Sequence, residues 1–158
     1  MKIAFIKQKY VEFGGGEGYL NRLMDACVAK GDKVHLITTT WQAARDAGMI
    51  ELHRIPRRGV MPGQRARHFS RAVAEMIAQE NFDISVSLER TECQDVWRAG
   101  EGVHSVWLRR RRLFQPWYRT ICNAYTPRHQ ALLELERECV RNTPLIIANS
   151  KMVKRDIE

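Results

Sequence analysis

The fold is decided near the start of the chain, where Lys2–Thr40 reads KIAFIKQKYVEFGGGEGYLNRLMDACVAKGDKVHLITTT. A short apolar run, Ile3–Ile6, predicts a strand, and the glycine-rich stretch Gly14–Gly18 follows it. Apolar residues then recur at the spacing of one helix face, and Val34–Thr39 predicts a second strand. Such βαβ units bind ligands beyond the carboxyl ends of their strands. We therefore expect a binding site at the glycine loop.

Two phosphate-binding motifs are excluded by the residues around this loop. A P-loop requires a Gly-Lys-Ser/Thr triplet, and no lysine occurs between Lys9 and Lys30. A dinucleotide fingerprint requires a glycine where Tyr19 stands and an acid where Thr38–Thr40 ends the second strand. The remaining interpretation is that these glycines expose the backbone at a helix N-terminus, where N–H groups can bind an anion or a sugar. A plain strand-to-helix turn is the alternative, but it needs fewer glycines.

Composition indicates one globular domain with a sizeable core, because 44% of the 158 residues are hydrophobic. No apolar run of about 18 residues and no signal-like start occur, so a cytosolic protein is expected. The four cysteines stand at least seventeen positions apart, which excludes a CxxC pair and a zinc knuckle. No metal site is expected.

The rest of the chain alternates predicted strands and helices. The predicted strands are Ile50–Ile55, Ile84–Leu88 and Leu145–Ala148, and the predicted helices are Phe69–Ala78, Gln130–Asn142 and a segment capped by Ser150. Glu89–Gly102 is predicted to be a loop. This alternation favours an α/β fold with a Rossmann-like parallel sheet and helices on both faces.

Three motifs carry a resemblance to a known family. They are Gly14-Gly15-x-Glu17 after the first strand, DVWRAGEGVH at Asp95–His104 after the fourth, and Ala148-Asn149-Ser150 before a helix. In order and spacing they resemble the N-terminal half of a retaining family 4 glycosyltransferase of GT-B architecture. The middle motif is similar to that of bacterial lipopolysaccharide-core sugar transferases. The resemblance implies that residues 1–158 form the acceptor-binding domain, without the donor-binding C-terminal domain and its E-x7-E glutamates, and that this chain alone transfers no sugar.

The resemblance also implies a reaction and its participants. A nucleotide sugar would donate a hexosyl group, with retention, to a glycolipid or lipopolysaccharide-type acceptor, and no metal or other cofactor would be required. Such transfer develops positive charge at the anomeric carbon and negative charge on the leaving diphosphate. The candidate catalytic residues are Glu101 and His104, and the candidate residues for the donor phosphate are Gly14, Gly15, Gly16 and Glu17. The family holds an acid, often Asp, at position 101. A solvated loop acid and a structural histidine are the alternatives.

The net charge of +8 is unevenly spread along the chain. Residues 52–74 and 102–133 contain twelve arginines and no acid, and the second segment also carries Trp and Tyr residues. This combination suits an anionic membrane surface or a phosphorylated glycolipid acceptor. The candidate residues are Arg109, Arg110, Arg111, Arg112, Trp107 and Trp117. We therefore expect a cytoplasmic protein that is peripheral at the inner face of the cell membrane; a solvated basic face over core aromatics is the alternative.

Two other function classes fit parts of the sequence. A basic patch with aromatic residues also suits a nucleic-acid-binding module, although no RRM, KH or helix-turn-helix signature supports it and no nucleic acid is expected as a partner. A non-catalytic Rossmann-like binding module is the second alternative.

Overall fold

The computed structural model describes residues 1–11, 15–42, 48–116 and 126–158. The strands are β1 (Lys2–Ile6), β2 (Lys9–Val11), β3 (Lys33–Thr38), β4 (Thr40–Gln42), β5 (Ile50–Arg54), β6 (Ile84–Ser87), β7 (Val96–Ala99) and β8 (Leu145–Ala148). The helices are α1 (Gly15–Ala29), α2 (Pro62–Glu80), α3 (His104–Arg112), α4 (Pro127–Asn142) and α5 (Lys151–Ile157).

Six strands form one parallel sheet in the order β5-β3-β1-β6-β7-β8. Two short strands, β2 and β4, form a separate parallel pair. The chain adds strands on one side of β1 and then, from β6 onward, on the other side. The strand order therefore reverses between β1 and β6, which is where Rossmann-like sheets open a crevice for ligands. The predicted parallel α/β sheet is confirmed.

Helices cover both faces of this sheet. Successive side chains of β1 point to opposite faces, so each of the two faces packs against a different helix. Phe5 belongs to a buried cluster with Leu20 and Met24 of α1. Ile6 belongs to a second cluster with Phe69 of α2. Burying a side chain of this size contributes roughly 1.5–3 kcal/mol, so the two clusters fix the layers of the domain.

The segment predicted as a loop contains a strand. β7 has only four residues and includes Arg98, so it carries no clear apolar alternation. Its formation depends on pairing with β6 on one side and β8 on the other, which buries Trp97. Glu101 consequently follows the fifth strand of the main sheet, whereas the sequence placed it after the fourth.

The helix α3 was also missing from the sequence prediction. Four consecutive arginines, Arg109–Arg112, conceal its apolar spacing, and only Val106 and Leu108 of this helix are buried. The prediction that the glycine-rich stretch precedes the first helix is also partly wrong, because α1 already begins at Gly15 and includes Gly18. Gly14 lies outside the described residues. Among the helices of the described ranges, none is long and apolar enough to span a membrane.

Candidate active site

A cleft of about 920 Å³ opens at the carboxyl edge of the sheet. Lys7 and Glu89, which follow β1 and β6, line it where the strand order reverses. Helix α3 contributes His104 and Trp107, and α4 contributes His129. The cleft therefore occupies the position at which this fold binds its ligands.

Lys7 and Glu89 form a largely buried ion pair. Lys7 Nζ lies 3.1 Å from Glu89 Oε1, and the two side chains are 13% and 20% exposed. The backbone N–H of Gln8 donates to the same oxygen at 3.3 Å. Burial raises the pKa of Glu89, although Lys7 opposes this effect. Burial alone would lower the pKa of Lys7, but the Glu89 carboxylate outweighs it and the pKa is raised.

Arg90 connects three parts of the site. Its Nη1 lies 3.2 Å from Glu101 Oε2, its Nε lies 3.1 Å from Glu136 Oε2, and its Nη2 donates to the Gly102 carbonyl at 2.8 Å. The Arg90 side chain is 11% exposed, whereas that of Glu101 is 63% exposed. Glu101 is thus held from one side while the rest of its carboxylate faces the cleft.

Glu136 of α4 caps the N-terminus of α3. The N-cap residue of that helix, Val103, has no side-chain oxygen to accept from the first N–H groups. Glu136 replaces it: Oε2 accepts from the N–H of His104 at 2.5 Å, and Oε1 accepts from the N–H of Ser105 at 3.0 Å. The side chain is only 6% exposed. Because the same carboxylate binds Arg90, it fixes Glu101 and His104 relative to each other.

The His104 side chain faces a second histidine. His104 Nε2 lies 3.0 Å from His129 Nδ1, and the His104 ring stacks on Trp107 with centroids 5.5 Å apart. Burial and then Arg90 lower the pKa of His104, and burial and then Arg128 lower that of His129. Both rings are therefore neutral near pH 7, and one donates a hydrogen bond to the other.

The glycines at the start of α1 line a second cavity of about 380 Å³. This cavity shares Lys7, Glu17 and Glu101 with the main cleft. No atom of the described residues lies within 4 Å of a Cβ built at Gly15 or Gly16, and neither residue has a positive φ. The packing of this part of the chain therefore does not require glycine at either position. The two glycines place no side chain between the first turn of α1 and the cavity that they line.

The structure brings most of the predicted site residues together. Glu17, Glu101, His104 and Trp107 line the main cleft, next to the cavity at Gly15 and Gly16. Trp117 lies outside the described residues.

The four arginines of α3 do not act as one group. Arg111 lines the cleft, with its guanidinium 4.9 Å from the centroid of the Trp107 ring. Arg110 lies 3.3 Å from Asp156 and so links α3 to α5. Arg109 and Arg112 are exposed. Of the four, only Arg109 and Arg112 therefore fit the prediction of a solvated or membrane-facing cluster.

The sequence prediction lacks five important residues of the site: Lys7, Glu89, Arg90 and His129, which line the cleft, and Glu136, which binds Arg90 beside it. Three of them had a usable signal, because polar residues directly after the first and fourth predicted strands must meet at the carboxyl edge. His129 and Glu136 had none, since only the packing of α4 against α3 brings them into place.

A smaller cavity of about 330 Å³ adjoins the cleft and shares Lys9 and Arg128 with it. We name it the basic bay; its charged and titratable lining residues are Lys9, Arg57, Arg58, Arg65, His68 and Arg128. No acidic residue is among the described residues that line it. The guanidinium of Arg65 donates to the carbonyls of Gly59 at 2.9 Å and Val60 at 2.8 Å, which orders the loop before α2.

The sequence profile described as Glycosyltransferase Family 4 matches residues 13–158. The chain belongs to glycosyltransferase family 4. No match is found among curated protein sequences. The crystal structure of WaaG, "a glycosyltransferase involved in lipopolysaccharide biosynthesis", is similar, with a TM-score of 0.85 and 18% sequence identity. The match covers 98% of this chain and 40% of the WaaG chain. This likeness confirms the predicted fold, that of a Rossmann-like domain of a GT-B glycosyltransferase, and the chain spans less than half of that structure's length.

Proposed function

We propose that this family 4 domain is the acceptor-binding half of a retaining glycosyltransferase. The complete enzyme would move a hexosyl group from a nucleotide sugar to a glycolipid or lipopolysaccharide-type acceptor. WaaG, whose fold the domain shares, takes part in lipopolysaccharide biosynthesis. One observation carries the proposal: Glu101, His104 and the glycines at the start of α1 line adjoining cavities at the reversal of strand order.

The reaction breaks the bond between the anomeric carbon and the diphosphate and forms one to an acceptor hydroxyl oxygen, whose proton passes to the departing diphosphate. In our proposal, N–H groups of the first turn of α1 and the positive end of its dipole stabilise the departing diphosphate. The Glu101 carboxylate, oriented by Arg90, stabilises positive charge at the anomeric carbon. His104 is neutral and hydrogen-bonds a sugar hydroxyl. No metal or cofactor takes part.

The basic bay supports our proposal of an anionic acceptor. Lys9, Arg57, Arg58 and Arg128 are exposed, and none forms an ion pair with another residue in the described part of the chain. Guanidinium groups bind phosphate with two parallel hydrogen bonds, which suits a phosphorylated glycolipid. Because the bay adjoins the cleft, an acceptor whose phosphate binds in the bay could place one of its sugar hydroxyls in the cleft.

The end of α3 supports attachment to an anionic membrane at the cytoplasmic face. Trp107, Leu113 and Phe114 are 47%, 79% and 87% exposed. They lie beside the exposed arginines Arg109 and Arg112. Aromatic rings at headgroup depth and cations near anionic lipids each favour such binding. This surface would bring a membrane-bound acceptor to the cleft, which α3 also lines.

The assignment of Glu101 is tested by measuring nucleoside diphosphate release in a protein that joins this domain to its donor-binding half. We expect Glu101→Gln to lower turnover by about 100-fold or more, the scale of losing one electrostatic group at a transition state. The control is Glu75→Gln, an exposed carboxylate on the outer side of α2, which should leave turnover unchanged. Full activity of the Glu101 variant, or release by residues 1–158 alone, would contradict the proposal.

The glycines offer a separate test of the diphosphate site. Gly15→Val adds a side chain into open space, so the melting temperature should change little. The same side chain would fill the cavity that the diphosphate enters, and turnover should therefore fall strongly. Parallel losses of stability and activity would favour a plain turn.

A further inference from the structure

Two histidines and a glutamate converge on β3 and β5, at one side of the sheet, and none of the three lines the cleft. His35 of β3 stands opposite Glu51 of β5, and Ile37 stands opposite His53. Since alternate residues of a strand share a face, His35, Glu51 and His53 all point to the same side of the sheet. No spacing in the sequence indicates this cluster, because only the register of the two strands creates it.

The donor atoms of the three side chains lie close together. His35 Nδ1 is 2.9 Å from His53 Nε2. Glu51 Oε2 is 3.5 Å from His35 Nδ1, and Glu51 Oε1 is 3.5 Å from His53 Nε2. Ligands of a tetrahedral zinc ion, bound at about 2.0–2.1 Å, are about 3.3 Å apart. Small side-chain rotations therefore suffice to place an ion among these three donors.

The two rings are fixed in place and one side of the cluster is open. The side chains of His35 and His53 are 4% and 13% exposed, whereas that of Glu51 is 66% exposed. Phe82 contacts both imidazoles edge to face, with centroids 5.2 Å and 6.1 Å away. Two buried nitrogens and one exposed carboxylate supply three ligands, and a water molecule would complete the four-coordinate shell of the ion.

We infer that His35, Glu51 and His53 form a binding site for Zn²⁺ or a similar late first-row transition ion. Imidazole nitrogens favour such ions, whereas Mg²⁺ and Ca²⁺ favour sites made of oxygen ligands. The bound ion would join β5, an edge strand of the sheet, to its neighbour β3. The ion would lie outside the cleft, because Phe82 also packs under Lys2 at the amino end of β1, opposite the edge that carries the cleft. It would act by holding the two strands together. The inference does not rest on the proposed function.

The test is metal binding by the purified, tag-free chain after treatment with a chelator. A Cys93→Ser background removes the exposed thiol, which could itself bind zinc. By calorimetry we expect one Zn²⁺ to bind per chain and no Mg²⁺ to bind. When Co²⁺ replaces Zn²⁺, the visible absorption spectrum should be that of a four-coordinate cobalt ion. At a hundredfold excess over Kd, Zn²⁺ should raise Tm by about 5–10 °C.

Two variants and one control locate the site. Glu51→Gln changes an exposed side chain and should leave the fold intact, yet weaken Zn²⁺ binding by at least about tenfold, as His53→Gln should. The control, His68→Gln, removes a histidine of α2 that is outside the cluster and should leave the affinity unchanged. The inference would be overturned if the unmodified chain binds no Zn²⁺, or if Glu51→Gln binds it as tightly as the parent.

Discussion

The buried cations of the cleft and the exposed cations of the basic bay, of which Arg128 lines both cavities, lie in different surroundings. Lys7 and Arg90 are largely buried, and each contacts a carboxylate at 3.1 Å. Arg57, Arg58 and Arg128 are exposed and pair with no carboxylate among the described residues. A buried charge without a partner is costly, whereas an exposed one is not. The paired cations therefore hold the shape of the site, and the unpaired ones remain available to an anionic ligand.

The largest effect is expected where a buried carboxylate is lost. Glu136→Ala leaves Arg90 without one partner and the N–H groups of His104 and Ser105 without acceptors. We expect the free energy of unfolding, measured by urea denaturation, to fall by about 3–5 kcal/mol.

A matched control lies on the same helix. Glu134 pairs with Arg67 of α2, but the two side chains are 59% and 42% exposed. Glu134→Ala should therefore cost about 1 kcal/mol or less. Equal losses for the two variants would mean that burial does not distinguish the paired cations of the cleft.

A double-mutant cycle on the other buried pair should give the next largest effect. Lys7→Met leaves the Glu89 carboxylate without its cation, and we expect a loss of about 3 kcal/mol near pH 7. Adding Glu89→Met to that variant should restore most of the stability, because no uncompensated charge is left. If the double variant loses as much stability as the two single variants together, the Lys7–Glu89 pair does not stabilise the cleft.

The exposed arginines of α3 should affect membrane binding and leave the fold unchanged. Arg109→Ser with Arg112→Ser removes two cations near the lipid surface, each contributing about 1 kcal/mol, so binding to anionic vesicles at low salt should weaken by about 30-fold. The control is Arg137→Ser with Arg141→Ser, which removes the same charge from exposed positions of α4. Equal sedimentation of the parent and both variants would remove the membrane role.

The smallest effect is a pH dependence of stability. The pKa values of His104 and His129 are lowered from 6.5, chiefly by burial, so the unfolded chain binds more protons than the folded chain below that pH. Stability should consequently fall as the pH drops below about 6.5. His104 faces Arg90, Glu136 and Arg128 as well as His129. In His129→Gln, the melting temperature should fall less steeply with pH than in the parent; identical slopes would exclude these histidines as its source.

The sequence predicted the layers of the fold because most strands and helices carry their own apolar pattern. It missed β7 and α3, which lack such a pattern and form through neighbours: β7 through pairing on both edges, and α3 through the cap from Glu136. Local spacing contains no information about either contact.

The candidate site, like the fold, could be predicted only where its residues are close in the sequence. Glu101 and His104 belong to one contiguous motif, so their proximity follows from the chain itself. Glu136 and His129 come from a helix more than twenty residues further on, and only tertiary packing brings them to the cleft. Arg57 and Arg58 pair with no carboxylate in the described part of the chain, and this too could not be predicted without knowing which carboxylates lie near them.

The most direct test of the account compares a phosphorylated lipopolysaccharide-core oligosaccharide with its dephosphorylated form as ligands for this chain. We predict by calorimetry that the phosphorylated form binds at least about tenfold more tightly, the value of one hydrogen-bonded charge contact. Arg57→Ser with Arg58→Ser should abolish this difference, whereas Arg137→Ser with Arg141→Ser should retain it. Equal affinity for the two oligosaccharides, or tighter binding of a single-stranded oligonucleotide, would contradict the assignment of the basic bay to an anionic sugar acceptor.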